Sequence, residues 1–283
     1  MQTHALSHDI LTVDLEDWYH VLPLSPAAAA RWALVASHIE DDTLRLLEVL
    51  DRHGAHATFF VIGRVAEQAP DLIREIVRRG HSVASHGFDH VPPEAMTRDE
   101  FAWDLRRSKE TIEGVIDTEV TGFRAPWFGI RGCGYPFFEI LSEQGFIYDS
   151  SCFPGICPGR GLPEARRGPK DAAPQKCVIE VTVSVVSMLT VPFAFSGGGF
   201  LRLLPFWFVK WGIHRTHEAG RPVVYYLHPR DLNPRSPVML LSTWRRVRYY
   251  GGRRRMERKL DTLLNLNHCV SIEHHLHDEG QIP

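Results

Sequence analysis

The sequence predicts an α/β fold built on a parallel β-sheet. Short apolar, β-branched segments alternate with amphipathic helical segments along most of the 283 residues, an order typical of a parallel barrel or a doubly wound sheet. A hydrophobic content of 44% and a charged content of 23% are ordinary for one large α/β domain or two small ones. Polar residues follow several predicted strands, and in parallel α/β folds this edge of the sheet carries the chemistry.

The first β-α-β unit occupies the N-terminal part of the chain. Residues 10–13 form a β-branched run that ends at a cluster of acidic residues. A helix is expected over 41–52 with a stop at Gly54, and the apolar run 58–62 is the second strand. The first strand therefore delivers carboxylates to its C-terminal edge.

The same alternation continues through the middle of the chain. A helix between Pro70 and Gly80 precedes a short strand over 81–85. Thr97 and Glu100 form a capping box, which predicts the start of a long helix. The later predicted elements are strands at 120–123, 146–148, 178–183 and 223–227, and helices at 136–143, 205–214 and 243–267.

Two glycine-rich segments interrupt this pattern. Residues 152–176 hold five Pro and four Gly, too many for a regular element, so this segment is expected to run over one face of the fold. Gly197 begins a run of three glycines after a strand. Because loops that follow parallel strands gather at one face, both segments are predicted to shape an open groove there, which favours a polymeric substrate.

Charge and cysteine content limit the possible partners and location. A net charge of −2 gives no overall attraction to nucleic acid. Five cysteines without a C-x-x-C pair argue against a disulfide framework, and no signal or membrane-spanning segment is visible, so a cytoplasmic location is expected. The Arg-rich tail over 243–267 is most simply a solvated helix face; peripheral contact with a membrane or an anionic lipid carrier is the alternative.

The pair His86 and His90 is the strongest single indication of chemistry. Two imidazoles four residues apart can reach one metal ion from the same side of a turn, and His86 should emerge at the C-terminal end of the strand over 81–85. The acidic cluster Asp14, Glu16 and Asp17 ends another strand at the same edge. The sequence thus predicts a divalent metal site between these strand ends.

The ordered strand ends resemble the polysaccharide deacetylase family, the NodB-homology enzymes of carbohydrate esterase family four. The matching stretches, in the family's order, are Thr12–Asp17, Ser85–His90, Arg124–Trp127, Asp149–Ser151 and Leu227–His228. The segment Ser196–Pro205 and the His228-Pro229 step are similar to a subgroup associated with exosortase-linked exopolysaccharide clusters. The resemblance implies a distorted, incomplete (β/α) barrel as a single domain over 1–283, with the core over about 1–230 and a family-specific extension over about 231–283.

The resemblance also implies a metal-dependent hydrolase that removes N-acetyl groups from N-acetylhexosamine units of a polysaccharide or oligosaccharide. His86 and His90 would bind the metal together with one carboxylate. Zinc suits such ligands best. The usual family pattern has two adjacent aspartates after the strand, whereas in this chain Leu15 follows Asp14 and the next acids are Glu16 and Asp17. Either Glu16 or Asp17 is therefore the third ligand.

Proton transfer is assigned by the same resemblance. Asp14 would act as the base, and Arg124 would orient it. His228 would protonate the leaving amine while Asp149 orients it, and the backbone N–H near Trp127 would bind the oxyanion. Taken singly, Arg124, Asp149 and His228 each have an ordinary structural interpretation, so their order along the chain is what favours function.

Two other functions remain open from the sequence. One is an allantoinase-like hydrolase of a small amide, which shares this fold. The other is a carbohydrate-binding protein without catalysis, although binding alone needs neither the base Asp14 nor the acid His228.

Overall fold

A curled β-sheet forms the centre of the molecule. The computed structural model describes residues 8–20, 36–130, 137–153, 165–167, 177–188, 191–239 and 241–282. Its strands are β1 (Asp9–Leu15), β2 (Thr58–Val61), β3 (Ser82–Ser85), β4 (Gly122–Phe123), β5 (Tyr148–Asp149), β6 (Ala165–Arg167), β7 (Val178–Glu180), β8 (Val185–Met188), β9 (Val191–Ala194), β10 (Val224–Leu227) and β11 (Cys269–Val270). The predicted loop over 152–176 falls largely outside these residues.

The strand order confirms the predicted incomplete barrel. The sheet runs β10-β1-β2-β3-β4-β5-β7-β6, with β11 also paired to β1. All of these pairs are parallel except β6–β7. Within the described segments β10 and β6 stand at the two ends of the sheet, so it forms a half-barrel rather than a closed one. β8 and β9 form a separate antiparallel hairpin that the sequence did not predict.

Helices pack around the sheet, most of them on its outer side, whereas the C-terminal helix Ile272–Asp278 packs against the concave side. They are α1 (Ile39–Arg52), α2 (Gly63–Gln68), α3 (Pro70–Arg78), α4 (Arg98–Ile116), α5 (Phe137–Glu143), α6 (Gly198–Leu203), α7 (Phe206–Glu218), α8 (Thr243–Tyr250), α9 (Arg253–Leu266) and α10 (Ile272–Asp278). The capping box at Thr97 and Glu100 is confirmed at the start of α4. The predicted helical character of the tail is confirmed, in two helices, because Gly252 at φ 80° separates α8 from α9. None of these helices is long and apolar enough to cross a bilayer.

The alternation of side chains along β1 explains how an apolar strand ends in a polar site. Leu11, Val13 and Leu15 belong to the large core between the sheet and the helices. Ile10 points to the opposite, concave side, where it joins a smaller cluster that includes Ile272 of α10. Because successive side chains of a strand face opposite sides, Asp14 lies on the same concave side as Ile10. This side carries the candidate site.

Candidate active site

Two imidazoles and one carboxylate meet at the C-terminal edge of the sheet. Nε2 of His90 lies 3.0 Å from Oε1 of Glu16, and Nε2 of His86 lies 3.4 Å from the same oxygen. All three residues are buried. The structure therefore brings together the predicted histidine pair and one of the two predicted carboxylates.

The turn after β3 holds the imidazoles in place. Gly87 and His90 have positive φ angles of 73° and 56°, which turn the chain sharply at the end of the strand. The buried carboxylate of Asp104 on α4 accepts the Phe88 N–H at 3.0 Å. Nδ1 of His86 donates to the backbone carbonyl of Arg124 at 2.7 Å, so its Nε2 is left as a lone-pair donor facing Glu16.

Glu16 is held as a carboxylate by a buried arginine. Nη1 of Arg230 donates to Oε2 of Glu16 at 2.6 Å, on the opposite side from the imidazoles. Burial raises the pKa of Glu16, but Arg230, His90 and His228 outweigh it and hold that pKa well below its usual range. Burial lowers the pKa of His90, which favours the neutral ring. The two groups thus have the protonation states that a metal ligand needs.

Asp17 faces another part of the molecule. Its carboxylate accepts hydrogen bonds from Oγ of Ser37 at 2.5 Å and from the His38 N–H at 3.2 Å. These residues directly precede α1, so Asp17 anchors the start of that helix. The structure places Glu16, and not Asp17, beside the imidazoles.

Asp14 and Arg124 form a fully enclosed ion pair, as the sequence predicted for their contact. Nη1 of Arg124 donates to Oδ1 of Asp14 at 2.7 Å and to Oγ1 of Thr12 at 2.9 Å. Its Nη2 donates to Oγ of Ser150 at 2.7 Å. Arg124 is completely buried, and a guanidinium with this many partners holds the carboxylate in one orientation.

His228 lies at the open side of the cluster. Its Nε2 is 3.9 Å from Oδ2 of Asp14 and 3.7 Å from Oε1 of Glu16, and its side chain keeps 15% exposure. Its Nδ1 is 3.2 Å from Oδ2 of Asp231. Burial raises the pKa of Asp231, but Arg202 and His228 outweigh it and lower that pKa overall. Asp231 is therefore the carboxylate that orients His228.

The predicted contact between Asp149 and His228 is wrong. Asp149 accepts hydrogen bonds from the N–H and Oγ of Ser151, at 2.9 and 2.5 Å. It also interacts with the buried carboxyl group of Glu180 on the neighbouring strand β7. Burial raises the pKa of Asp149 to about 6 and that of Glu180 well above its usual range. The two carboxyl groups thus form a structural pair that favours a retained proton.

The run of three glycines approaches the same site. A Cβ on Gly198 would lie 2.1 Å from Oδ2 of Asp231 and 3.4 Å from Nδ1 of His228. A side chain at this position would displace Asp231, so the glycine lets α6 begin directly against the His228–Asp231 pair.

Trp127 borders the imidazoles from a strained turn. It has φ 63°, in the left-handed region, within the 3-10 turn Pro126–Phe128. Its ring centroid lies 5.8 Å from that of His90. Its Nε1 is buried and has no hydrogen-bond partner among the described residues. A buried donor of this kind beside the candidate site has its hydrogen-bonding capacity free for a ligand oxygen.

The donor set fits a divalent first-row metal. One ligand atom from each of Glu16, His86 and His90 lies within 4.8 Å of the others. Two neutral imidazoles and one carboxylate are the ligands of many catalytic zinc sites, which keep further positions for water and substrate. Asp14 and His228 flank this set and are the neighbouring groups available for proton transfer.

Three charged residues of the site were not found from the sequence: Arg202, Arg230 and Asp231. Arg230 and Asp231 directly follow the His228-Pro229 step that was identified, and proline at the start of a turn followed by aspartate is a recognisable local signal. Arg202 contacts Asp231 at 3.1 Å, but it lies far from Asp231 along the chain, and no local sequence signal predicts this contact. His20, interpreted as structural, packs its ring 5.2 Å from that of His90.

Comparisons with known proteins match two parts of the chain. Residues 36–130 match the polysaccharide deacetylase family model. Residues 150–277 match a model described as a domain of unknown function, DUF3473. The second model therefore covers His228 and Asp231 as well as the Arg-rich helices.

Curated relatives match over limited lengths. A peptidoglycan deacetylase of Helicobacter pylori is 34% identical over 107 residues, 38% of this chain and 36% of the relative. A chitooligosaccharide deacetylase of Azorhizobium caulinodans is 33% identical over 86 residues, 30% of this chain and 41% of the relative. The chain thus spans about two fifths or less of the length of these relatives.

Solved structures show the same fold over nearly the whole chain. A Mycobacterium smegmatis protein described as a polysaccharide deacetylase has a TM-score of 0.62 at 20% identity, over 98% of this chain and 94% of the other. A CE4 family pseudoenzyme of Bacillus anthracis has a TM-score of 0.51 at 14% identity, over 96% of this chain and 66% of the other. Because the fold includes a pseudoenzyme, function must be argued from the site.

Proposed function

With the comparisons supporting the polysaccharide deacetylase family for this chain, we propose that it is a metal-dependent hydrolase of N-acetylated glycans. It removes N-acetyl groups from N-acetylhexosamine units of a polysaccharide or oligosaccharide. The observation that carries the proposal is the meeting of Asp14, Glu16, His86, His90 and His228 at one sheet edge. A binding protein of this fold would need neither the Asp14–Arg124 pair nor the His228–Asp231 pair.

Three residues are proposed to hold the metal: Glu16, His86 and His90. A bound divalent cation supplies Lewis acidity, which polarises the acetyl carbonyl and acidifies a water molecule. Zinc is the metal proposed for this donor set. The hydrogen bond from His86 to the Arg124 carbonyl and the ion pair of Glu16 with Arg230 keep both ligands oriented without the metal.

Asp14 is proposed to take the proton of the attacking water. Its Oδ1 is occupied by Arg124, whereas its Oδ2 faces His228. This arrangement leaves one oxygen available to the reacting groups and fixes its direction. The guanidinium of Arg124 also offsets the desolvation cost of the buried Asp14 carboxylate, so Asp14 can act as a base at its buried position.

His228 is proposed to donate a proton to the nitrogen of the leaving amine. Asp231 holds Nδ1, which directs Nε2 toward the cluster. Arg202 in turn holds Asp231 from the other side. The buried Nε1–H of Trp127 and the backbone N–H of this residue are the proposed donors to the developing oxyanion.

The wider role follows from the same proposal. Exopolysaccharide biosynthesis, a cytoplasmic location and contact with a lipid carrier or membrane are the setting we propose. An open, polymer-binding groove formed by the loops that follow the parallel strands is part of this proposal. Small ureides such as allantoin should accordingly be poor substrates.

Acetate release from a series of N-acetylated hexosamine oligomers tests this function. We expect activity that rises over several sugars and that falls by roughly 10² or more in Asp14→Asn, with metal content unchanged. Asp17→Asn is the matched control, because this nearby buried carboxylate lies outside the cluster and should retain activity. Near-normal turnover of Asp14→Asn would assign the base elsewhere, and preference for allantoin or a monosaccharide would favour small-amide hydrolysis.

A further inference from the structure

A cavity lies at the start of α9, and one of its lining residues, Arg202, also contacts Asp231 of the candidate active site. It has a volume of about 740 Å³. Its apolar lining residues include Leu203, Leu204 and Phe206, and its cationic lining residues include Arg253, Arg254 and Arg255. Arg202 and Lys259 also line it, and none of the described residues that line it is a carboxylate. The cavity therefore combines a strongly cationic lining with an apolar one.

Arg253 is a buried cation with no ion pair among the described residues; Asp231 attracts it from a distance, and its guanidinium lies 4.7 Å from the centroid of the Tyr250 ring. Its residue exposure is 5%, and its Nε and Nη2 are buried with no hydrogen-bond partner. Nη1 makes only a long contact of 3.4 Å to the Ser236 carbonyl. Burial lowers the pKa of Arg253 to about 10, so it stays charged at neutral pH. Burying a guanidinium with free N–H groups is costly unless a ligand satisfies them.

The charge pattern of α9 is the opposite of what stabilises a helix. Its first turn carries Arg253, Arg254 and Arg255 and no acidic residue, and Gly252 at the N-cap offers no side-chain cap. The N-terminus of a helix is its positive end, so cations there are unfavourable and an anion is favourable. None of the three arginines forms an ion pair with another described residue.

The other two cations of the cavity are already engaged. Nζ of Lys259 donates to the carbonyls of Leu201, Arg202 and Leu204, at 2.7 to 2.9 Å. Arg202 pairs with Asp231 and donates to the backbone carbonyls at the end of α8. The free positive charge is thus confined to the first turn of α9.

We propose that this cavity binds a phosphate or diphosphate group. Several arginine forks and a helix N-terminus match a tetrahedral oxyanion with many acceptor oxygens better than a single carboxylate. The apolar lining, with Leu203 44% and Val238 50% exposed, suits a phosphate that carries an apolar chain. This binding is separate from glycan hydrolysis and is measured without it.

Isothermal titration of the full chain with inorganic pyrophosphate and with farnesyl diphosphate tests the proposal. We expect at least one probe to bind, and we expect Arg253→Met to weaken its affinity by at least about 10-fold, the scale for losing one charge-assisted contact. Equal affinity for both probes identifies a free phosphate as the ligand. Tighter binding of farnesyl diphosphate identifies a lipid-linked one.

Two further variants keep the test decisive. The double variant Arg254→Met, Arg255→Met changes exposed positions, so it reports on the cavity even if Arg253→Met fails to fold. Arg258→Met, on an exposed position of the same helix outside the cavity, removes the same charge as a matched control and should bind as the wild type does. The proposal is overturned if neither probe binds, if the cavity variants bind normally, or if Arg258→Met loses affinity equally.

Discussion

Replacing Asp104 by asparagine should stabilise the protein in a pH-dependent way. Asp104 lies on α4 with 5% exposure, and its carboxylate accepts the Phe88 N–H in the turn that carries the histidine pair. Burial raises its pKa from 3.8 to about 7. A shift of this size corresponds to about 4 kcal/mol at 1.36 kcal/mol per unit.

The direction of this pH dependence follows from the proton that the folded protein binds at Asp104. Between about pH 4 and pH 7 the folded protein keeps a proton on Asp104 that the unfolded chain has released. The contribution of protonated Asp104 to the free energy of unfolding is therefore complete below about pH 4 and is lost as the pH rises through 7. Asparagine cannot ionise, and its amide oxygen can still accept the Phe88 N–H. The stability of Asp104→Asn relative to the wild type should thus increase by about 4 kcal/mol between pH 4 and pH 8.

Urea unfolding of metal-free protein over this pH range measures the difference, with the free energy of unfolding obtained by linear extrapolation. Glu110→Gln is the control, because it removes an exposed carboxylate from the same helix. The difference in free energy of unfolding between Glu110→Gln and the wild type should stay nearly constant with pH. A difference for Asp104→Asn that is equally constant would refute the reasoning, since burial would then not raise the pKa of this carboxyl group.

Three further outcomes are expected. Glu16→Gln should lower metal affinity by more than the roughly 10- to 100-fold typical of residues that only support a ligand. Competition with a chelating dye measures this affinity. Asp17→Asn should bind metal normally, and the reverse result would make Asp17 the ligand. Asp231→Asn should lower kcat for acetate release by roughly 10² or more, whereas Asp149→Asn should change it far less; a larger loss in the second variant would contradict the assignment of Asp231. Thr97→Ala should lower the free energy of unfolding by about 1 kcal/mol through loss of the cap, and an unchanged urea midpoint would show that the capping box contributes nothing.

Local patterns were enough to predict most of the elements. Apolar runs placed β1, β2 and β10 within a residue or two, because each buried strand needs a continuous apolar stretch. The hairpin of β8 and β9 and the two-residue strand β11 were missed. β11 is defined by pairing with β1, more than 250 positions earlier in the chain, and two residues carry no periodicity of their own.

The sequence by itself determined the parallel sheet, the position of its polar edge, and the pairing of His86 with His90, since spacing and alternation act over a few residues. Only the tertiary structure decided which carboxylates serve the site. Asp14 and Glu16 lie two positions apart and share the concave side, whereas Asp17 turns away to the start of α1. Asp231, and not Asp149, reaches His228 because the buried partner Arg202 holds it there. Such choices depend on which distant charges can be neutralised together inside the fold, and no local pattern records that balance.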